Sequence, residues 1–141
     1  GLRGALEEQL NQYRTSGIVL TLEAPETLPP LPAALEMACY RIVQEALTNV
    51  VRHAHATRAT VHLEVQEALM VVEVKDNGQG LPPHVRRGVG LSSLRERAEE
   101  LGGTCLIETL PQGGTRVSAR LPLQSRYHEV NESAQKGENV S

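Results

Sequence analysis

The sequence predicts an α+β fold, a two-layer α/β sandwich with helices on one face of a mixed, mainly antiparallel sheet. Three observations carry that prediction. "ATVHLEVQ" with "LMVVEVKD", and "TCLIETL" with "TRVSARLPL", are apolar-alternating pairs joined by short turns, and each pair reads as a β-hairpin. Apolar residues at helical spacing occupy three other stretches. The resulting order, αβα-ββ-α-ββ, lacks the regular strand–helix alternation of a doubly wound sheet.

Each element has a local cause. Leu2, Ala5, Leu6 and Leu10 share a helical face, and that helix is expected to end at Gly17. "IVLTLEA" alternates and reads as a strand, while "PETLPPLP" is a proline-rich connection whose Pro32 suits the first turn of the next helix. The longest helical pattern runs from Ala33 to about Ala54. A tight turn at Glu67-Ala68 joins the first hairpin, and "PQGG" joins the second. Between them, Leu91 to Leu101 forms an amphipathic helix stopped by Gly102 at its C′ position. These elements make one domain over residues 1–123, and the polar stretch 124–141, "QSRYHEVNESAQKGENVS", is expected to be a tail or linker.

Composition removes several function classes. The chain has 141 residues, 40% of them hydrophobic, with three Tyr and no Phe or Trp, so its core must be built from Leu, Val, Ile and Ala. So few rings argue against a single-stranded nucleic-acid binder, which stacks bases on aromatics. A net charge of −3 gives no basic footprint for DNA. No apolar run reaches membrane-spanning length. Cys39 and Cys105 sit among apolar residues outside any C-x-x-C pair, which fits reduced core thiols and a cytoplasmic location. Opening on Gly1 rather than Met, the chain is expected to be a piece of a longer protein, which can itself be anchored in the inner membrane.

The chemistry-bearing residues fall into two groups. On a 100° wheel, Leu35, Cys39, Ile42, Val43, Ala46, Leu47, Val50 and Val51 fill one arc of the long helix. Glu45, Asn49 and Arg52 share a strip opposite, with His53 at the border. A solvated face would satisfy this spacing, and so would a ligand set. Mid-helix asparagine is a poor helix former but a suitable oxygen ligand for Mg²⁺, which takes one or two protein groups beside waters and phosphates. Arg52 would then neutralise phosphate charge. The second group follows the strand ending at Asp76: "DNGQGLPP" and then "GVGL". A hairpin turn explains Asp-Asn-Gly; so does a nucleotide site. Asp76 at a strand end can accept from an exocyclic amine, Gly78 and Gly80 can leave a slot for a flat base, and Leu81 can wall it. Gly88 and Gly90 precede a helix N-terminus, where free N–H groups favour phosphate.

The ordered combination E-x-x-x-N-x-x-R-H, D-x-G-x-G, G-x-G-L and a late "GGT" resembles the ATP-binding catalytic domain of bacterial sensor histidine kinases, within the superfamily that includes gyrase and Hsp90. "RIVQEALTNVVRHAHA" is similar to that family's N box, "DNGQG" to its G1 box and "GVGL" to its G2 box. "GLSSLRERAEELGG" and "GGTRVSARLPL" are similar to the subgroup whose response regulators carry LuxR-type DNA-binding domains. The resemblance covers roughly residues 5–123 and implies the Bergerat ATP-binding fold. It implies that ATP and Mg²⁺ are bound, that Asn49 coordinates the Mg²⁺, and that Glu45 supports the metal through water or acts as a base. It places Arg52 and His53 near the phosphates, and Asp76 on the adenine amine with a water shared with Thr115. It assigns the base pocket to Gly78, Gly80 and Leu81, and the start of the helix under a short lid to Gly88, Gly90 and Leu91. His84, Arg86 and Arg87 fall in that lid.

The implied activity is that of a sensor protein histidine kinase: transfer of the γ-phosphoryl group to a histidine on a separate dimerisation domain of the same parent. A response regulator is the indirect partner, nucleic acid is not a ligand, and the isolated chain is expected to be monomeric. His128-Glu129 superficially matches an acceptor, but "YHEVNESAQ" has no apolar helical stripe from which to build a dimer bundle. An anti-sigma-type serine kinase, a stand-alone ATPase and a non-catalytic interaction module are the alternatives.

Overall fold

A computed structural model describes residues 1–80 and 89–124, with backbone alone at 53, 54 and 89–92. Helix α1 (Leu2–Tyr13) passes through a 3₁₀ turn to Gly17, whose φ of 87° gives the left-handed stop that its lack of a Cβ permits. Strand β1 (Val19–Glu23) and the proline-rich connection lead to α2 (Ala33–Asn49), which ends in a π turn over Val50–Ala54. The hairpin of β2 (Arg58–Gln66) and β3 (Leu69–Asp76) follows. Helix α3 (Val89–Glu100) and the hairpin of β4 (Thr104–Thr109) and β5 (Thr115–Pro122) complete the described elements.

The five strands form one sheet in the order β1-β2-β3-β5-β4. Only β1 and β2 pair in parallel, across the long connection that carries α2, because parallel neighbours cannot be joined by a tight turn. The other three pairings are antiparallel. The fold is therefore the predicted α+β sandwich.

Strand alternation sends Ala59, Val61 and Leu63 of β2, Met70, Val72 and Val74 of β3, and Val117, Ala119 and Leu121 of β5 to the helix-covered face, each 5% exposed or less. Leu35, Cys39, Ile42, Val43, Ala46, Leu47 and Val50 of α2 pack onto them, and Leu6 and Leu10 of α1 and Leu94 and Ala98 of α3 close the core. A polar contact fixes α1 against α2: the Gln9 amide, 1% exposed, donates to the Tyr40 carbonyl at 3.3 Å. Both cysteines are free, and burial pushes the thiol of Cys39 up to about 12 and that of Cys105 up to about 11.

Two boundaries and one face placement differ from the sequence reading. The long helix stops at Asn49 and gives way to the π turn. Val51, placed on the apolar arc, is 37% exposed, since the 3.6-residue spacing behind that placement no longer holds there. Helix α3 begins at Val89, two residues before Leu91. Its end is as expected: Gly102 has φ 78°, Gly102 N donates to Glu99 O, and Gly103 N donates to Ala98 O, which together make a Schellman stop.

The opposite face of the sheet is polar. There His62 stands in register with Glu23 of β1, its Nδ1 3.3 Å from Glu23 Oε2 and its Nε2 3.2 Å from Glu64 Oε2. Both ring nitrogens can donate only when the imidazole is protonated, so Glu64 first, and Glu23 after it, raise the His62 pKa. The stabilisation is therefore complete below the ordinary imidazole range and lost as pH rises through the raised value. Because both carboxylates and the ring are largely exposed, solvent screens the attraction and the effect is small. Wild type is expected to melt slightly above His62→Gln at pH 5.5 and together with it at pH 8.5, in paired thermal denaturation.

Candidate functional site

Two inward-facing columns of the sheet end in polar residues. On β3 the series Met70, Val72, Val74 continues to Asp76, and on β5 Leu121, Ala119 and Val117 continue to Thr115. Asp76 and Thr115 are each 4% exposed. Placing a carboxylate and a hydroxyl where alternation demands core residues is costly unless both are satisfied. Asp76 is satisfied in part: Gly78 N donates to its Oδ1 at 2.8 Å. Burial raises the Asp76 pKa, and hydrogen bonds from the Gly78 and Thr115 backbone oppose the rise. Thr115 Oγ1 is sealed from solvent and has no hydrogen-bond partner among the described residues.

The last turn of α2 lies over these two residues. Ala46, Asn49, Val50, Val74, Asp76, Thr115 and Val117 line a small cleft of about 10 Å³, the space of a single water molecule. The fold thus brings Asn49, Asp76 and Thr115 together from three separate elements. Asn49 is half-buried, and its neighbour one turn back, Glu45, is too. Arg52 is exposed in the π turn, which makes its spacing from Asn49 non-α-helical. The backbone of His53 belongs to the same turn. Glu45 faces α3, where its Oε1 accepts from Ser93 Oγ and from Arg97 Nε, each at 3.2 Å.

The glycines divide by role. Gly78 is buried and contributes its N–H to Asp76. Gly80 is buried with φ 83°, and a Cβ there would stand 3.0 Å from Thr109 Cγ2, so close packing and backbone conformation both call for glycine. Gly90 opens α3 within its first turn, and Leu91 follows. Leu81, His84, Arg86, Arg87 and Gly88 lie outside the described residues, as do the side chains of His53 and Leu91 and the stretch 125–141.

Two features of the site were not visible in the sequence. The first is Asn77. Its Oδ1 accepts from Thr57 N at 3.0 Å and Arg58 N at 2.9 Å, its Nδ2 donates to Thr57 Oγ1 at 2.9 Å, and its own N–H donates to Arg58 O. One side chain thus ties the loop after Asp76 to the segment leaving the π turn. The second is the contact that the "GGT" hairpin makes with the same loop: a Cβ on Gly114 would lie 2.0 Å from Asp76 O, and one on Gly113 3.1 Å from Gly78 O. Asn-Gly in a loop is a turn signal and no more, so neither contact has a local signature.

Comparison with known proteins bears on the family and the fold. Residues 34–125 match the family model described as histidine kinase-, DNA gyrase B-, and HSP90-like ATPase. A sensor protein VraS of Staphylococcus epidermidis is 39% identical over 95 residues, covering 66% of this chain and 27% of that protein. The sensor protein VraS of Staphylococcus aureus is 37% identical over the same length. The chain thus spans about a quarter of the length of the curated relatives it matches. Among solved structures, the histidine kinase domain of the Erythrobacter litoralis EL346 blue-light activated histidine kinase superposes with a TM-score of 0.68 at 23% identity, over 84% of this chain and 59% of that one. The Acinetobacter baumannii histidine kinase AdeS gives a TM-score of 0.66 at 16% identity, over 86% and 62%. Those likenesses concern the fold. The matched span includes the long helix, both glycine segments and the last hairpin, and on it the chain belongs to the histidine kinase-, DNA gyrase B- and HSP90-like ATPase family.

Proposed function

We propose that this chain is the ATP-binding catalytic portion of a two-component sensor histidine kinase. In this reading it binds Mg-ATP and presents the γ-phosphoryl group to a histidine on a separate dimerisation domain of its parent. The observation that carries the reading is the convergence on one cleft of Asn49, Asp76 and the Thr115 hydroxyl, which has no partner among the described residues. A buried hydroxyl without a partner calls for a ligand or a water to complete it, and a shared water between Asp76 and Thr115 fits the volume available. The relatives' name, sensor protein, supports the signalling context.

Each residue then has a task. Asp76 accepts from the exocyclic amine of adenine, with Thr115 completing the water-mediated contact. Gly78 and Gly80 keep the loop clear of the base, and Asn77 with Gly114 holds Asp76 in place. Asn49 would supply an oxygen to Mg²⁺ and Glu45 would support that ion through water, while Arg52 and His53 are assigned to the phosphates, Leu81 to the wall of the base pocket, and Gly88, Gly90 and Leu91 to the segment that opens α3. Bound Mg-ATP supplies the phosphoryl group and a divalent cation that offsets its charge. The protein contributes positioning and electrostatic complementarity, which dominate phosphoryl transfer. "GLSSLRERAEELGG" supports a response regulator with a LuxR-type DNA-binding domain as the downstream partner. No described helix is long and apolar enough to cross a membrane.

The test is transfer itself. Supplied with γ-labelled ATP and the helical acceptor domain of its parent, the chain is expected to label that domain at histidine, as acid-labile, base-stable phosphate. Acid-stable label would point instead to a serine acceptor, and release of free phosphate alone to a stand-alone ATPase.

A further inference from the structure

Helix α3 presents two pairs of residues at one-turn spacing. Leu94 and Ala98 are fully buried in the core, while Ser93 and Arg97 share a neighbouring strip. Both members of this polar pair reach one atom of α2, Glu45 Oε1, at 3.2 Å. Arg97 approaches through Nε. The other carboxylate oxygen, Oε2, is sealed from solvent and has no partner among the described residues.

A simple staple between helices would be expected to use both oxygens, because the guanidinium fork matches a carboxylate bidentately. Here the bond geometry is one-sided: both donors from α3 fix Oε1, and Oε2 is left without a donor among the described residues. Asn49 lies one turn along α2 from Glu45, on the cleft with Asp76 and Thr115.

We propose that Arg97, assisted by Ser93, is a positioning residue for the nucleotide site, fixing through Oε1 the Glu45 carboxylate that stands one turn of α2 from Asn49, and so the negative charge beside the nucleotide-bound cation. This rests on the Mg-ATP reading above. It also makes α3 part of the cation site rather than only a core helix.

The experiment is a double-mutant cycle read by titration calorimetry. Binding of a non-hydrolysable ATP analogue is measured with and without Mg²⁺ for wild type, Arg97→Gln, Glu45→Gln and the double variant, with Arg97→Lys as the conservative replacement. The readout is the ratio of the two affinities, which a change in fold stability alone does not move. Arg97→Gln and Glu45→Gln are each expected to reduce the Mg²⁺ enhancement about fivefold, the double variant no further, and Arg97→Lys less, because the two residues act as one unit. An Arg97→Gln variant that keeps the full enhancement overturns the proposal and leaves the nucleotide reading intact, as does a double variant in which the losses multiply. A wild-type chain that binds the analogue equally well with and without Mg²⁺ overturns the cation reading and this proposal together.

Discussion

Asp76→Asn is expected to weaken binding of an ATP analogue by about 30- to 100-fold, the loss of a charge-assisted hydrogen bond plus the cost of an opposed donor. Asparagine is nearly isosteric, and its side-chain oxygen can still accept from Gly78 N, now made at 2.8 Å. What it cannot keep is acceptor character at both positions. Its NH₂ group would face the amine of the base, donor against donor. Stability should move the other way. Burial raises the Asp76 pKa, so the folded state disfavours the charged carboxylate, and stability falls as pH rises through the interval between the unfolded and folded values. Removing the charge relieves that penalty, and the variant at pH 7 is expected to melt at or above the wild-type temperature. Calorimetry and thermal denaturation on one preparation check both halves: lost binding with an undiminished Tm identifies a binding residue, whereas lost binding with a lowered Tm identifies a structural one.

Gly114→Ala is expected to cost about 3 kcal/mol or more, and to lower Tm by more than about 10 °C. The added Cβ would stand 2.0 Å from the Asp76 carbonyl oxygen and 3.2 Å from Asn77 Cα, at a φ of +97°. Neither neighbour is the free end of a side chain, so relief requires moving the backbone that aims Asp76. Gly17→Ala provides the control. Gly17 has φ +87° and nothing within 4 Å of the added carbon, so it carries the conformational cost alone, about 1 kcal/mol. The difference in Tm between the two variants isolates the clash. Equal shifts would mean that the last hairpin does not clamp the loop.

The sheet was legible because period-two alternation is a property of single strands: residues 59–76 and 104–122 declare their inward faces without any partner. The same alternation, carried one step past Val74 and Val117, places Asp76 and Thr115 on the inward face. The parallel partnership of β1 with β2 was not legible, because it depends on how α2 returns the chain over the sheet. Nor was the π turn, since Val50–Ala54 continues the apolar spacing of α2 without a glycine or proline to mark a change. Within the site, Asn49, Glu45 and the glycines had a pattern of their own. Arg97 and Asn77 did not, because their roles are tertiary: Arg97 reaches a residue 52 positions away and Asn77 one 20 positions away. No local spacing encodes such distances.

The claim that Asp76, Thr115 and Asn49 form an ATP site is tested most directly by titrating the chain with a non-hydrolysable ATP analogue, with and without Mg²⁺, beside Asp76→Asn. The account predicts one-to-one binding that Mg²⁺ strengthens and Asp76→Asn removes. Absence of binding at millimolar analogue, or undiminished binding by Asp76→Asn, would contradict it.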